Sequence, residues 1–295
     1  MAASLELKSP AATIHREHDV PALPKDARVY QILFLASLLA MGALVRDFTL
    51  RWEQMALTFA AGLATQAIAM RVVGVRRGSL LSAVITCFGL SILLRADTLW
   101  AHPLAATLAI GSKFIIRIDG KHVFNPANVG VIAALLLLPG AWVSPGQWGH
   151  DLAIAAWFVA LGAVVTGKAR RWDASWIFLA TFLGLIGARV LLLGQNPAVF
   201  THQLGNGALL LFAFFMLSDP MTLPGHRGAR VGYAVLVAIV AAYWQYALFR
   251  PNAFVWALFL CTPLVPLLDR RWHAQRFSWR APVAAGSARP PSTQP

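Results

Sequence analysis

Residues 174–194 read ASWIFLATFLGLIGARVLLLG, a stretch with one charge, Arg189, close to its end. About 20 predominantly apolar residues cross the hydrocarbon of a bilayer, so this stretch can span one. Outward from it, apolar runs recur at 29–45, 55–73, 79–94, 99–112, 129–143, 152–166, 204–217, 231–249 and 252–268. Those at 99–112, 129–143, 152–166 and 204–217 are short, the length of half-helices or re-entrant segments. Of the 295 residues 58% are hydrophobic and 13% charged, against about 25% charged in a soluble domain. That composition excludes a disordered chain and an ordinary soluble enzyme. It predicts an all-α polytopic integral membrane protein of about ten transmembrane helices, some of them broken or short. One transmembrane domain is expected over 29–269, between a polar tail at 1–28 and a basic, disordered tail at 270–295.

The charges orient the bundle. The formal charge is +13, from 25 Lys+Arg and 12 Asp+Glu. With the N-terminus inside, the N-terminal tail, 71–78, 113–124, 168–173, 219–230 and the C-terminal tail carry 20 basic residues, while the opposite loops carry 4. This is the positive-inside bias. It predicts both termini and the 113–124 and 219–230 loops on the cytoplasmic side. The excess charge suits anionic lipid, and no nucleic-acid partner is expected. Trp52, Trp100, Trp142, Trp148, Trp172 and Trp272 fall near run ends, at interfacial depth. The first 28 residues lack a continuous apolar core and read as a polar tail, not a signal peptide.

Inside the runs, chemistry-bearing side chains are sparse. None of the 12 carboxylates lies within one, which counts against an autonomous carboxylate-driven pump. Cys87 and Cys261 occupy separate runs without CxxC spacing and read as small hydrophobes. The eight histidines form no pair within a run, which counts against bis-histidine haem. No metal site is expected.

Two polar stretches break the pattern. Residues 111–130 read GSKFIIRIDGKHVFNPANVG, where Asp119-Gly120 is a two-residue hairpin signal. Pro126 disfavours helical geometry at Asn125 and can itself begin the next helix. Free N–H groups at that helix start, with Lys113, Arg117, Lys121, Asn125 and Asn128, suit a phosphate-bearing, hydrogen-bonding ligand. The same residues also suit a basic loop that fixes topology, with asparagines capping a helix. Residues 205–230 read GNGALLLFAFFMLSDPMTLPGHRGAR. Here Pro220 and Pro224 stop a helix, and Ser218, Asp219 and Thr222 can satisfy the groups left open. The charge count puts both stretches on one face, where they could form a site.

Together they resemble a known family. Gly120-Lys121, Phe124-Asn125-Pro126-Ala127 and Gly130 are similar to a G-K-x-x-F-N-P-A-x-x-G signature. It marks the NQR2/RnfD/RnfE-type membrane redox subunits of the sodium-translocating NADH:quinone reductase and of the Rnf electron-transport complex. Phe214-Phe215-Met216, Ser218-Asp219-Pro220 and Thr222 resemble that family's F-F-M-x-[ST]-D-P-x-[ST] turn, and Pro266-Leu267-Leu268-Asp269 its P-L-I-D close. The motifs at 94–97, 112–114 and 144–149 look closest to a short branch that includes membrane proteins associated with enediyne biosynthesis.

The resemblance implies a flavin-associated subunit of an electron-transport or redox-coupled ion-transport complex in the bacterial inner membrane. It implies FMN or riboflavin as cofactor and other membrane or membrane-associated redox subunits as partners. The implied contacts are Lys113, Arg117, Lys121, Asn125, Asn128, Ser218, Asp219 and Thr222. Members with covalent FMN carry it on the threonine of an S-G-A-T-type motif, and no such tetrapeptide occurs here. Any flavin is therefore expected to be non-covalent. A channel, permease or membrane anchor that kept the bundle and lost the redox site is the alternative.

Overall fold

The computed structural model describes residues 26–44, 51–75, 79–144, 152–168, 171–275 and 277. Most of both expected tails, and five of the six positions in the 144–149 motif, lie outside the described residues. Among the described residues, helical segments follow the order of the ten apolar runs. They are α1 (Ala27–Leu44), α2 (Trp52–Val72), α3 (Leu81–Leu93), α4 (Ala101–Ile115), α5 (Pro126–Leu137), α6 (Leu152–Lys168) and α7 (Trp172–Leu192). The bent pair α8 (Ala198–Leu204) and α9 (Gly207–Leu211), then α10 (Arg227–Tyr246), and the bent pair α11 (Ala253–Cys261) and α12 (Leu264–Arg271) complete the series. Four short strands are β1 (Leu94–Ala96), β2 (Arg117–Ile118), β3 (Lys121–His122) and β4 (Ala141–Val143).

By length and apolarity α2, α7 and α10 can each cross a membrane. Two broken helices, one bent by 44° after α8 and one by 46° between α11 and α12, bring the full-length candidates to five. Of the four runs expected to be short, 99–112, 129–143 and 152–166 correspond to α4, α5 and α6, while 204–217 falls in the first broken helix. Helices α1 and α3 are also shorter than a full span, although their runs are not among those four. Both breaks have local causes. Asn206 caps α9, its Oδ1 accepting from Ala208 N at 3.0 Å and Leu209 N at 3.4 Å. Pro263 has no N–H to continue α11. The fold is an all-α polytopic membrane bundle.

Helix α2 shows the membrane logic most clearly. Its buried residues are Gln54, Thr58, Gly62 and Gln66, while Leu57, Ile68 and Val72 are exposed. A helix of a soluble protein does the reverse. In lipid, apolar side chains face outward, and polar and small ones pack between helices. Gln54 donates to the Ala96 and Thr98 carbonyls at 2.8 and 3.1 Å. At the other end of the stripe, Gln66 accepts from Lys113 Nζ at 2.8 Å.

Close helix approach needs Gly130. A β-carbon there would lie 2.8 Å from the Ala105 carbonyl oxygen and 2.9 Å from Ala109 Cβ and Leu90 Cδ2. Its absence lets α5 lie against the backbone of α4. Elsewhere the core is aromatic. Phe212 packs on Phe178 and Phe254 at centroid distances of 5.0 and 5.3 Å, and Phe182 on Phe254 at 5.0 Å.

Strands β1 and β4 pair antiparallel, Leu94 opposite Val143 and Ala96 opposite Ala141. They tie the end of α3 to the end of α5. The hairpin of β2 and β3 lies at the other end of α4, roughly 22 Å away at 1.5 Å per residue.

Candidate functional site

The hairpin begins the site. Arg117 pairs with His122 and Ile118 with Lys121. Asp119 and Gly120 take φ of 51° and 77°, the two positive angles of a type I′ turn. Arg117 closes it by donating to the Gly120 carbonyl. Three residues past β3, Asn125 caps α5, its Oδ1 accepting from Asn128 N at 3.1 Å, with Pro126 at the first helical position. That cap and that start match the sequence expectation.

The second stretch enters as a π-helical turn, Phe212–Met216. Such turns are rare and often mark functional sites. Ser218 donates to the Phe214 carbonyl and Thr222 to the Asp219 carbonyl, while Asp219 Oδ1 accepts from Met221 N at 3.0 Å. The two stretches meet through Lys121, whose Nζ donates to the Leu223 carbonyl, and through Asn125. Asn125 Nδ2 lies 3.4 Å from both the Met216 carbonyl oxygen and Asp219 Oδ2.

Between them lies a cavity of about 270 Å³, lined by Lys113, Arg117, Asn125, Ser218 and Asp219 of the expected set. Lys121 instead lines a neighbouring cavity of about 430 Å³, where its Nζ meets Asp269 Oδ2 at 3.1 Å. Asn128 and Thr222 are absent from both linings. With its amide oriented as its neighbours require, Asn128 donates to the Val255 carbonyl at 3.1 Å and accepts from Phe259 N at 3.2 Å. Those two groups belong to one turn of α11, and ordinarily pair with each other. His122, Pro220 and Met221 line both cavities.

The cavity carries excess positive charge. Its lining includes Lys113, Arg117 and Arg28, the last paired with Asp26 at 2.6 Å, against the single carboxylate of Asp219, with Leu35, Val165, Phe215 and Met216 supplying apolar surface. Lys113 Nζ is held by Gln66 Oε1 at 2.8 Å and Ser82 Oγ at 2.9 Å. An ammonium has three donors, so two acceptors orient it and one donor remains. Burial pushes the His122 ring below the usual histidine range, the Asp219 carboxylate pulls it back, and Lys113, Arg117 and Lys121 add to the lowering. Phe215 stacks on Phe34 of α1, centroids 4.3 Å apart.

Sequence reasoning missed several lining residues, among them Arg28, Gln66, Ser82, Thr86 and Thr166. Gln66 had a signal, the spacing of four between Gln54, Thr58, Gly62 and Gln66. Thr166 is 1% exposed and donates to the Gly162 carbonyl at 2.8 Å. The next pair of loops is tied down separately. Arg230 grips Asp173 with Nη2–Oδ2 at 2.6 Å and Nε–Oδ1 at 3.0 Å, and its Nη1 donates to the Pro224 and Gly225 carbonyls at 3.2 and 2.9 Å.

A bundle of short and broken apolar helices, closed at one end by two proline-stopped loops around a cationic cavity, defines a class of polytopic membrane proteins. The profile described as NQR2, RnfD, RnfE family matches residues 146–278. The matched part contains the Ser218–Thr222 turn and begins after the hairpin and the cap of α5. The chain is similar to the D subunit of the ion-translocating oxidoreductase complex of Stutzerimonas stutzeri, 29% identical over 178 residues, covering 57% of this chain and 44% of the relative. It is also similar to the protein of the same name from Actinobacillus succinogenes, 28% identical over 139 residues, covering 46% and 37% respectively. The chain thus spans less than half the length of these relatives.

Proposed function

We propose that the protein is a non-autonomous membrane subunit of an ion-translocating redox complex, and that it holds FMN or riboflavin non-covalently in the cavity beneath the hairpin. The observation that carries this reading is the contact of Asn125 with Met216 and Asp219, which joins the two family-like motifs into one cavity wall. The relatives' shared name, which makes each the D subunit of an ion-translocating oxidoreductase complex, supports it.

The donor set suits a flavin. Lys113 and Arg117 offer positive charge to a phosphate or to the electron-rich side of the ring, and the Leu35–Phe215 wall offers an apolar face. A volume of about 270 Å³ lies just below the roughly 300–1,000 Å³ of small-molecule sites. The cavity would therefore enclose a ring system rather than a whole nucleotide. A bound flavin would supply electron transfer. The chain's own residues do the rest. Lys113 presents a fixed cation, Asp219 and Asn125 hold the two loops together, and the apolar wall excludes water. Asn125, Ser218 and Thr222 spend their polar atoms on the backbone and on Asp219, so in this reading they shape the cavity.

The reading places the protein in the bacterial inner membrane with both termini cytoplasmic, beside partner redox subunits. The absence of an S-G-A-T tetrapeptide favours the rival, a channel, permease or anchor that lost the redox site. An absorbance spectrum of the purified, detergent-solubilised protein separates the two. A flavin spectrum whose chromophore is released to the supernatant on acid precipitation is the expected result. A colourless protein, purified from flavin-replete cells and still taking up no added FMN or riboflavin, would favour the rival.

A further inference from the structure

The far end of the bundle holds a second polar cluster. Ser91 Oγ, Arg95 Nε and Nη2, and His102 Nε2 are buried and have no hydrogen-bond partner among the described residues. Their side chains are 2%, 7% and 3% exposed. All three lie where α3 ends, β1 runs and α4 begins, remote from the Ser218–Thr222 turn.

Arg95 is held rigidly. Its Nη1 donates to the carbonyls of Ser91, Ile92 and Leu94 at 2.9, 3.3 and 2.9 Å, over the C-terminal turn of α3. This leaves Nε and Nη2, the edge with which arginine grips two oxygens of one anion. No carboxylate pairs with it among the described residues. A guanidinium does not deprotonate in proteins, and a buried charge is costly unless paired.

His102 adds a different demand. Thr58 commits its single hydroxyl proton to the Gln54 carbonyl at 2.7 Å. The 3.0 Å contact of Thr58 Oγ1 with His102 Nδ1 then requires Nδ1–H to donate. The neutral ring is left with Nε2 as a bare acceptor. The Arg95 and Arg51 guanidiniums both act on this ring electrostatically. Donors that require a negative oxygen thus lie within electrostatic reach of an acceptor that requires a hydrogen. We propose that Ser91, Arg95 and His102 form a binding site for an oxyanion that still carries a proton, of the hydrogen-phosphate or bicarbonate kind. The site is independent of any flavin at the opposite end.

Thermal unfolding of the full chain in neutral detergent, near pH 7 and at constant ionic strength, tests this. Inorganic phosphate, bicarbonate, dimethyl phosphate and sulfate are the probes. Phosphate or bicarbonate should raise the midpoint by about 2–4 °C, by preferential binding to the folded state. Dimethyl phosphate and sulfate, which offer no hydrogen, should not. Arg95→Lys, which keeps the charge and loses the fork, and His102→Phe should each abolish the shift. Equal shifts from all four anions, no shift from any, or a shift that survives both variants would overturn the site. Should neither variant fold, the 31P line broadening of phosphate against that of dimethyl phosphate on the native protein decides, and equal broadening overturns it. A lipid phosphodiester is the other source of phosphate. Stabilisation by phosphatidylglycerol over phosphatidylcholine nanodiscs, without a response to phosphate or bicarbonate, would assign the cluster to lipid and overturn the proposal.

Discussion

Arg230 and Asp173 form a two-point ion pair with both side chains buried, 6% and 8% exposed, at the start of α10 and of α7. The carboxylate sits in the first turn of α7, where the helix dipole favours a negative charge, and its Oδ1 also accepts from Ala174 N at 3.0 Å. The guanidinium spends its remaining face on the Pro224 and Gly225 carbonyls. One arginine thus joins two long helices and pins the loop that follows the Ser218–Thr222 turn.

Arg230→Ala leaves Asp173 buried without its two-point partner. Removing one member of a buried pair costs about 3–5 kcal/mol, so the unfolding midpoint should fall sharply. Arg230→Lys keeps the charge but loses the fork and the loop carbonyls, and should fall between the two. A wild-type midpoint for Arg230→Ala would show that the pair contributes nothing.

Asn125→Leu removes the cap of α5 and the tie to Asp219. Loss of an asparagine cap costs about 0.5–2 kcal/mol, so yield and stability should drop while surviving protein retains whatever flavin the wild type binds. Lys113→Met should do the opposite, keeping the fold and lowering flavin occupancy. Flavin absorbance per mole of protein, read beside the unfolding midpoint, distinguishes the two. Loss of flavin from a fully stable Asn125→Leu protein would make Asn125 a direct ligand contact.

Acid should weaken the hairpin end of the site. His122 binds its proton less readily folded than unfolded, because burial opposes the charge. Above the ordinary histidine value of 6.5 both states are neutral and stability is unaffected. As pH falls below it the unfolded state takes up the proton first, and stability declines until the lowered folded value is passed. His122→Gln should show a flatter dependence of its midpoint on pH between about 7 and 5. Parallel curves for variant and wild type would remove His122 as the cause.

Gly130→Ala pushes a methyl group against the Ala105 carbonyl oxygen 2.8 Å away, a backbone atom that cannot swing aside. Overpacking of this kind costs about 1–3 kcal/mol, seen as a lowered unfolding midpoint. An unchanged midpoint would mean that α4 and α5 separate freely.

For orientation, Arg227→Cys is expected to label from the cytoplasmic side in a background with Cys87 and Cys261 replaced, and Arg51→Cys from the opposite side. Labelling of Arg227→Cys by an impermeant reagent applied to the outside of intact spheroplasts would invert the topology.

Local signals survived the passage from sequence to structure. Asp119-Gly120 reads as a hairpin because two adjacent positive φ angles suit those residues, and Asn125-Pro126 reads as a helix start because cap and proline act on their neighbours. Strands β1 and β4 had no such signal. Leu94–Ala96 and Ala141–Val143 are three residues each, and pair because the helices before them end side by side. The partner of Asn128 was equally hidden, since nothing near it in sequence points to α11. The division of the basic residues between two cavities, Lys113 of α4 and Arg117 of β2 in one and Lys121 of β3 in the other, depends on how the hairpin folds back at the end of α4, and spacing alone does not carry that.

The amide of Asn128 bridging one turn of α11 has a mechanical consequence. One turn earlier, at Asn125, the same helix is pegged to Met216 and Asp219 on the opposite wall. Helix α5 is therefore a strut between two walls, fastened at both by asparagine side chains three residues apart. A shift of the Ser218–Thr222 turn cannot be absorbed at α5 by a simple rotation, because turning the strut would pull both α11 hydrogen bonds out of line. The load passes on to α11, which meets α12 at a 46° bend beside Pro263.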